Sequence, residues 1–161
     1  MARRLWVVAL SLVAVFAAAG SLTFWYVCPC ERTPGGPLQF FEVAAEPVAD
    51  WGFANDVGLC QIEVQAFVPW SVNLNCMSVQ QKLYVSCARC AGKFWSTAAL
   101  RNDRGRIAIG NRVYPVRMRR VLDPVELDLA WQARAAKTGR GSSQPRADHW
   151  WSFELTSTAG R

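Results

Sequence analysis

Arg106-Ile-Ala-Ile-Gly-Asn-Arg-Val-Tyr-Pro-Val-Arg117, followed shortly by Asp123-Pro-Val-Glu-Leu127, is the stretch whose reading decides the fold class. The first run reads as two strands, Gly105 to Ile109 and Arg112 to Leu122. They join at Gly110 and Asn111, residue types for which a positive φ is cheap. Pro115 brings no amide hydrogen to a ladder, so it marks an edge or a kink in the second strand. The second run opens a helix: Asp123 is the N-cap, Pro124 takes the first helical position, and Glu126 stands three residues after the cap. That helix runs through Leu127, Leu129, Ala130 and Trp131, with the Trp131 ring expected in the core, to Lys137, and Gly139 ends it.

On the N-terminal side, from Asp56, the residues Cys60, Ile62, Val64, Ala66 and Val68 alternate with Gln61, Glu63, Gln65 and Phe67, the period of a half-buried strand. Pro69, Trp70 and Ser71 are expected to turn the chain. Val72 to Val79 and Lys82 to Cys87 read as a second and a third strand. Gln80 and Gln81 fall where a two-residue hairpin turn belongs, although neither is Gly or Asn. Lys93 to Asp103 reads as a short helix with Phe94, Ala98, Leu100 and Arg101 toward its inner side. After a loose stretch from Arg140 to Asp148, His149 to Thr158 forms the last strand. The order β, β, β, short α, β, β, α, β with antiparallel neighbours gives an α+β domain: a small barrel of about six strands with two helices.

Ahead of this domain, Leu5 to Val27 contains no charged residue. At ~1.5 Å per residue such a helix crosses a ~30 Å hydrocarbon layer. Trp6 at one end and Trp25 with Tyr26 at the other match the two interfaces, and Arg3 with Arg4 places the N-terminus in the cytoplasm. The expected organisation is a tail (1–4), a transmembrane helix (5–27), a linker rich in Pro and Gly (28–50) and the barrel domain (51–161), held outside the inner, cytoplasmic membrane. The rival reading, a cleaved signal peptide ending near Ala17-Ala-Ala-Gly20, is opposed by the apolar residues that continue to Val27.

Net charge is +6, and setting aside Arg3 and Arg4 leaves 16 basic against 12 acidic residues. No Lys/Arg run is long enough for a nucleic-acid tract, so no nucleic acid is expected as a partner. Arg117, Arg119 and Arg120 read as a solvated strand face. The six cysteines leave three readings open: structural disulfides in an oxidising compartment, buried free thiols at Cys60 and Cys76, or a redox or zinc site using Cys28, Cys30, Cys87 and Cys90. The single histidine, His149, beside Trp150 and Trp151, suits an interface or a strand cap rather than catalysis, and no metal site is expected.

The runs Lys82-Leu-Tyr-Val-Ser-Cys87, Lys93-Phe-Trp95, Leu100-Arg-Asn-Asp103, Arg106 to Arg117 and Asp123 to Leu127 together resemble the split-barrel flavin-binding superfamily. Within it the chain is most similar to the deazaflavin-dependent nitroreductase-like group and to membrane-anchored uncharacterised relatives. The likeness covers roughly Asp56 to Leu155. It implies a cofactor, FMN or a deazaflavin, held near Ser86, Lys93, Trp95 and Arg101, and a homodimer. The chemistry suits such a guest: Lys and Arg bring charge to a phosphate, Ser a hydrogen bond and Trp a flat apolar face. Two functions follow as expectations. One is a membrane-anchored oxidoreductase whose cofactor performs the chemistry; the other is a non-catalytic envelope domain that uses the barrel for partner contacts.

Overall fold

The computed structural model describes residues 2–26 and 33–160. In chain order the elements are α1 (Ala2–Tyr26), β1 (Glu42–Val43), a 3-10 turn (Gly52–Asn55), β2 (Cys60–Gln65), β3 (Pro69–Val79), β4 (Lys82–Ala88), α2 (Phe94–Arg101), β5 (Arg104–Ile109), β6 (Arg112–Arg120), α3 (Pro124–Thr138) and β7 (Trp150–Ser157). Six strands close into an antiparallel barrel in the order β2-β3-β4-β7-β6-β5, with β5 returning to β2. β1 adds a short parallel pairing outside β6.

The barrel interior follows the period-2 pattern. Cys60, Ile62 and Val64 on β2, Leu83, Val85 and Cys87 on β4, and Phe153 and Leu155 on β7 are all buried in one cluster. Asp123 caps α3 by accepting a hydrogen bond from the Glu126 amide at 2.8 Å, and Gly139 ends the helix in the left-handed conformation at φ 65°. Pro115 sits where β6 exchanges partners. Residues 112 and 113 pair with β1 while Val116 to Arg120 pair with β7, so the missing amide hydrogen falls in the gap.

Several expectations need correction. Pro69-Trp70-Ser71 is not a turn: β3 begins at Pro69, paired with Gln65, and the chain reverses over residues 66–68. The reason is pairing, because Trp70 lies opposite Val64 and the Ser71 backbone bridges Gly35. At the β5–β6 turn φ is positive at Gly110 alone, not at Asn111. The β3–β4 turn is built although its residues are poor for it, with Gln80 and Gln81 at φ 52° and 66°. Neighbouring ladder pairs and the hydrogen bond from the Trp51 amide to the Gln81 carbonyl hold that geometry. The inner face of α2 is Trp95, Ser96, Ala98 and Ala99, whereas Phe94 and Leu100 are exposed.

Cys60 and Cys76 are not free thiols. The β2–β3 ladder turns both side chains inward and they form a disulfide, with a second one between Cys87 and Cys90. Cys28 and Cys30 lie outside the described residues.

The stretch expected as linker runs against the barrel where it is described. Leu38 is buried, Gly35 exchanges two backbone hydrogen bonds with Ser71, and Ser71 Oγ donates to the Gly36 carbonyl at 2.6 Å. This strap also covers Glu63. An outward position on β2 therefore becomes fully buried, and its carboxylate accepts from the Leu38 amide (2.7 Å), Gln65 Nε2 (3.1 Å) and the Arg106 guanidinium (3.0 and 2.5 Å). The N-terminal helix is long and apolar enough to span a membrane, and the span from Arg4 to Trp25 buries no residue inside the protein.

Candidate functional site

α2 closes one end of the barrel. Lys93 is its N-cap and takes an extended conformation, and the Lys93 carbonyl accepts from the Thr97 amide at 3.0 Å. Ser96 Oγ fastens the helix start by donating to the carbonyls of Cys90 (2.5 Å) and Lys93 (3.0 Å). Beneath it, Trp95 is only 4% exposed, and its ring centroid lies 5.3 Å from that of Phe153. The bulk of α2 burial is therefore a plug of Trp95, Ala98 and Ala99 in the barrel mouth.

Beside this plug, with Ala98 at the boundary, positions 94, 97, 98 and 101 form one helical stripe. With the β2–β3 connection, this stripe bounds a cleft of about 550 Å³ lined chiefly by Gln65, Phe67, Phe94, Thr97 and Arg101. That volume lies within the ~300–1,000 Å³ common for small-molecule sites. The lining combines apolar rings, a hydroxyl, an amide and one guanidinium, a donor set suited to a flat guest with a negative end.

Of the four residues expected at a site, Arg101 lines the cleft and Lys93 stands exposed at the start of the same helix, one residue before Phe94. Trp95 lies below the helix in the core. Ser86 is buried on the outer side of β4, its Oγ 2.8 Å from Ser152 Oγ across the β4–β7 ladder, and it does not line the cleft. Phe67, Gln65 and Thr97 escaped the sequence reading. One signal was present for Phe67: a large apolar residue in the polar phase of an alternating strand, which the structure leaves fully exposed.

A second constellation holds α3 to the barrel. Tyr84 Oη donates to Glu126 Oε1 at 3.0 Å, and Arg119 reaches both Glu126 oxygens (2.7 and 2.9 Å) and, through Nε, Glu154 (2.9 Å). Lys82 adds a contact to Glu154 at 3.2 Å. Burial, then the hydrogen bond to Glu126, pushes the Tyr84 phenol well above its ordinary value. Burial alone would raise the Glu154 carboxyl, but hydrogen bonds from Arg119 and Lys82 more than offset it and hold the group low. Lys137, at the far end of α3, donates to the carbonyls of Ala54 (2.7 Å) and Cys76 (2.5 Å), and burial lowers its pKa. The carboxylates and cations of this network are matched to each other and tie helix to sheet. Tyr84, Glu126 and Glu154 are thus engaged in structure.

His149 is exposed, and its carbonyl accepts from the Arg89 amide at 3.0 Å. Among the described residues no group of three or more His, Cys, Asp or Glu is arranged to hold a metal ion.

No protein-family model matches the chain, and no curated protein matches it. Solved structures do. A candidate pyridoxamine 5'-phosphate oxidase from Listeria innocua aligns with a TM-score of 0.53 at 10% identity, covering 65% of this chain and 87% of its own. A candidate 5-nitroimidazole antibiotic resistance protein from Bacteroides thetaiotaomicron aligns at 0.53 and 11% identity, over 70% and 82% of the two chains. A protein of unknown function from Agrobacterium tumefaciens aligns at 0.52 and 12% identity, over 64% of this chain and 50% of its own. At these identities the likeness is one of fold.

Proposed function

We propose that the cleft over α2 binds a flavin-type cofactor, with Arg101 taking its phosphate and the ring of Phe94 flanking its flat part. The observation that carries this reading is the single guanidinium set among apolar rings in a cleft of suitable volume. The names of two structures similar in fold point to the same class of guest, since pyridoxamine 5'-phosphate is an aromatic ring with a phosphate and a nitroimidazole is a flat heterocycle. Lys93, at the start of the same helix, adds positive charge. Trp95 supports the helix from beneath, and Ser86 has its partner in Ser152. When bound, such a cofactor supplies hydride transfer, so the chain itself need only bind, orient and exclude water.

The membrane-anchored topology belongs to the same reading. α1 spans the inner membrane with Arg3 and Arg4 inside, and the barrel stands outside, where two disulfides suit an oxidising compartment. This topology separates the domain from a cytoplasmic deazaflavin pool. The second reading, a non-catalytic envelope domain, is favoured by the engagement of Trp95 and Ser86 in packing.

The full chain, purified in detergent and titrated with FMN and with a deazaflavin, is expected to quench tryptophan fluorescence saturably with FMN. A colourless protein that responds to neither compound supports the second reading and ends the first.

A further inference from the structure

The C-terminal end of α1 does not stop short of the barrel. The Phe24 carbonyl accepts from the Gly36 amide at 3.1 Å, and the Phe24 ring lies 5.6 Å from Trp70. Trp70 in turn lies 4.7 Å from Phe94 on α2. Three rings thus lead from the last turns of a membrane-length helix to the barrel end that carries the cleft.

The same end presents apolar side chains to its surroundings. Phe67, at the tip of the β2–β3 connection, is fully exposed, and Phe94 and Leu100 are each about half exposed. Lys93 and Arg101 stand among them on α2 and are exposed as well. Aromatic rings beside cations form the composition that settles at a bilayer interface, where the ring reaches the acyl boundary and the cation meets anionic headgroups. Trp25 on α1 is exposed as well, its ring 6.4 Å from that of Phe24.

We infer that this end of the barrel seats on the outer face of the membrane that α1 spans, with Phe67 inserted among the lipids. The inference rests on the anchored reading given above, and it adds an orientation: the cleft beside Arg101 opens at the membrane surface rather than away from it.

The test places p-benzoylphenylalanine at position 67 or, as the comparison, at position 59 of the full chain. Leu59 is also exposed and apolar but lies at the opposite end of β2. Each protein is reconstituted in vesicles of phosphatidylcholine and phosphatidylglycerol, floated on a density gradient, irradiated and analysed by mass spectrometry. Lipid adducts at position 67 exceeding those at position 59 by tenfold or more are expected. Equal adducts at both positions, none at either in a chain that floats, or a crosslink from position 67 to a second copy of the chain overturns the seating while leaving the anchor intact. A chain that does not float with the vesicles removes the anchor and the seating together.

Discussion

Replacing Trp131 by Ala is expected to destabilise the protein by about 3–5 kcal/mol, the range for deleting a buried tryptophan. Trp131 is 7% exposed, but it packs on the outside of the barrel. Its ring meets Trp150 edge-on at 5.1 Å, its Nε1 donates to the Gln144 carbonyl at 3.1 Å, and Gly141 lies so close that a Cβ there would stand 2.9 Å from the ring. It therefore joins α3, the loop over 140–148 and the start of β7. Loss of the ring unpacks all three, and a fall of roughly 10 °C or more in the thermal midpoint follows for a domain of this size. Trp131→Phe keeps most of the apolar contact and gives up the hydrogen bond, a loss nearer 1 kcal/mol. Calorimetry of the two variants checks the order, and an unchanged midpoint for Trp131→Ala contradicts it.

Glu63→Ala is expected to cost about 3 kcal/mol, toward the lower end of the range for removing one partner of a buried ion pair. The lower end applies because the Arg106 side chain is 30% exposed and can recover water, whereas the Leu38 amide loses its acceptor under the strap. Glu63→Gln retains an acceptor for Leu38 and costs less. Chemical denaturation gives the two energies, and limited proteolysis should cut residues 35–50 faster in Glu63→Ala. Equal cleavage in the variant and the parent protein would show that the carboxylate does not hold the strap.

The elements with strong local punctuation were legible in the sequence. Asp123, Pro124, Glu126 and Gly139 bound α3 because caps act within a turn of the residues that make them. Strict alternation gave β2 and, through it, the barrel. Long-range contacts decided what could not be read. Glu63 looked like an ordinary polar outward residue, and only the return of residues 35–38 buries it. Pro69-Trp70-Ser71 carried turn chemistry, yet pairing with Gln65 and Val64 outweighed it. On α2, eight residues are too few for apolar periodicity to separate Trp95 from Phe94. Only the barrel mouth selects Trp95 as the plug and leaves Phe94 to the cleft. Of the expected site, Arg101 lines the cleft because it lies two turns along the helix from Phe94 on the same stripe.

The measurement closest to the central claim compares FMN with riboflavin, which lacks the phosphate, in the full chain and in Arg101→Gln. If the Arg101 guanidinium receives the phosphate, FMN binds the unaltered chain roughly tenfold or more tightly than riboflavin, the worth of a charged hydrogen bond. That preference collapses in Arg101→Gln while riboflavin binding stays the same. An equal preference for FMN in both proteins would contradict the placement of the phosphate, and no binding of either flavin would contradict the site.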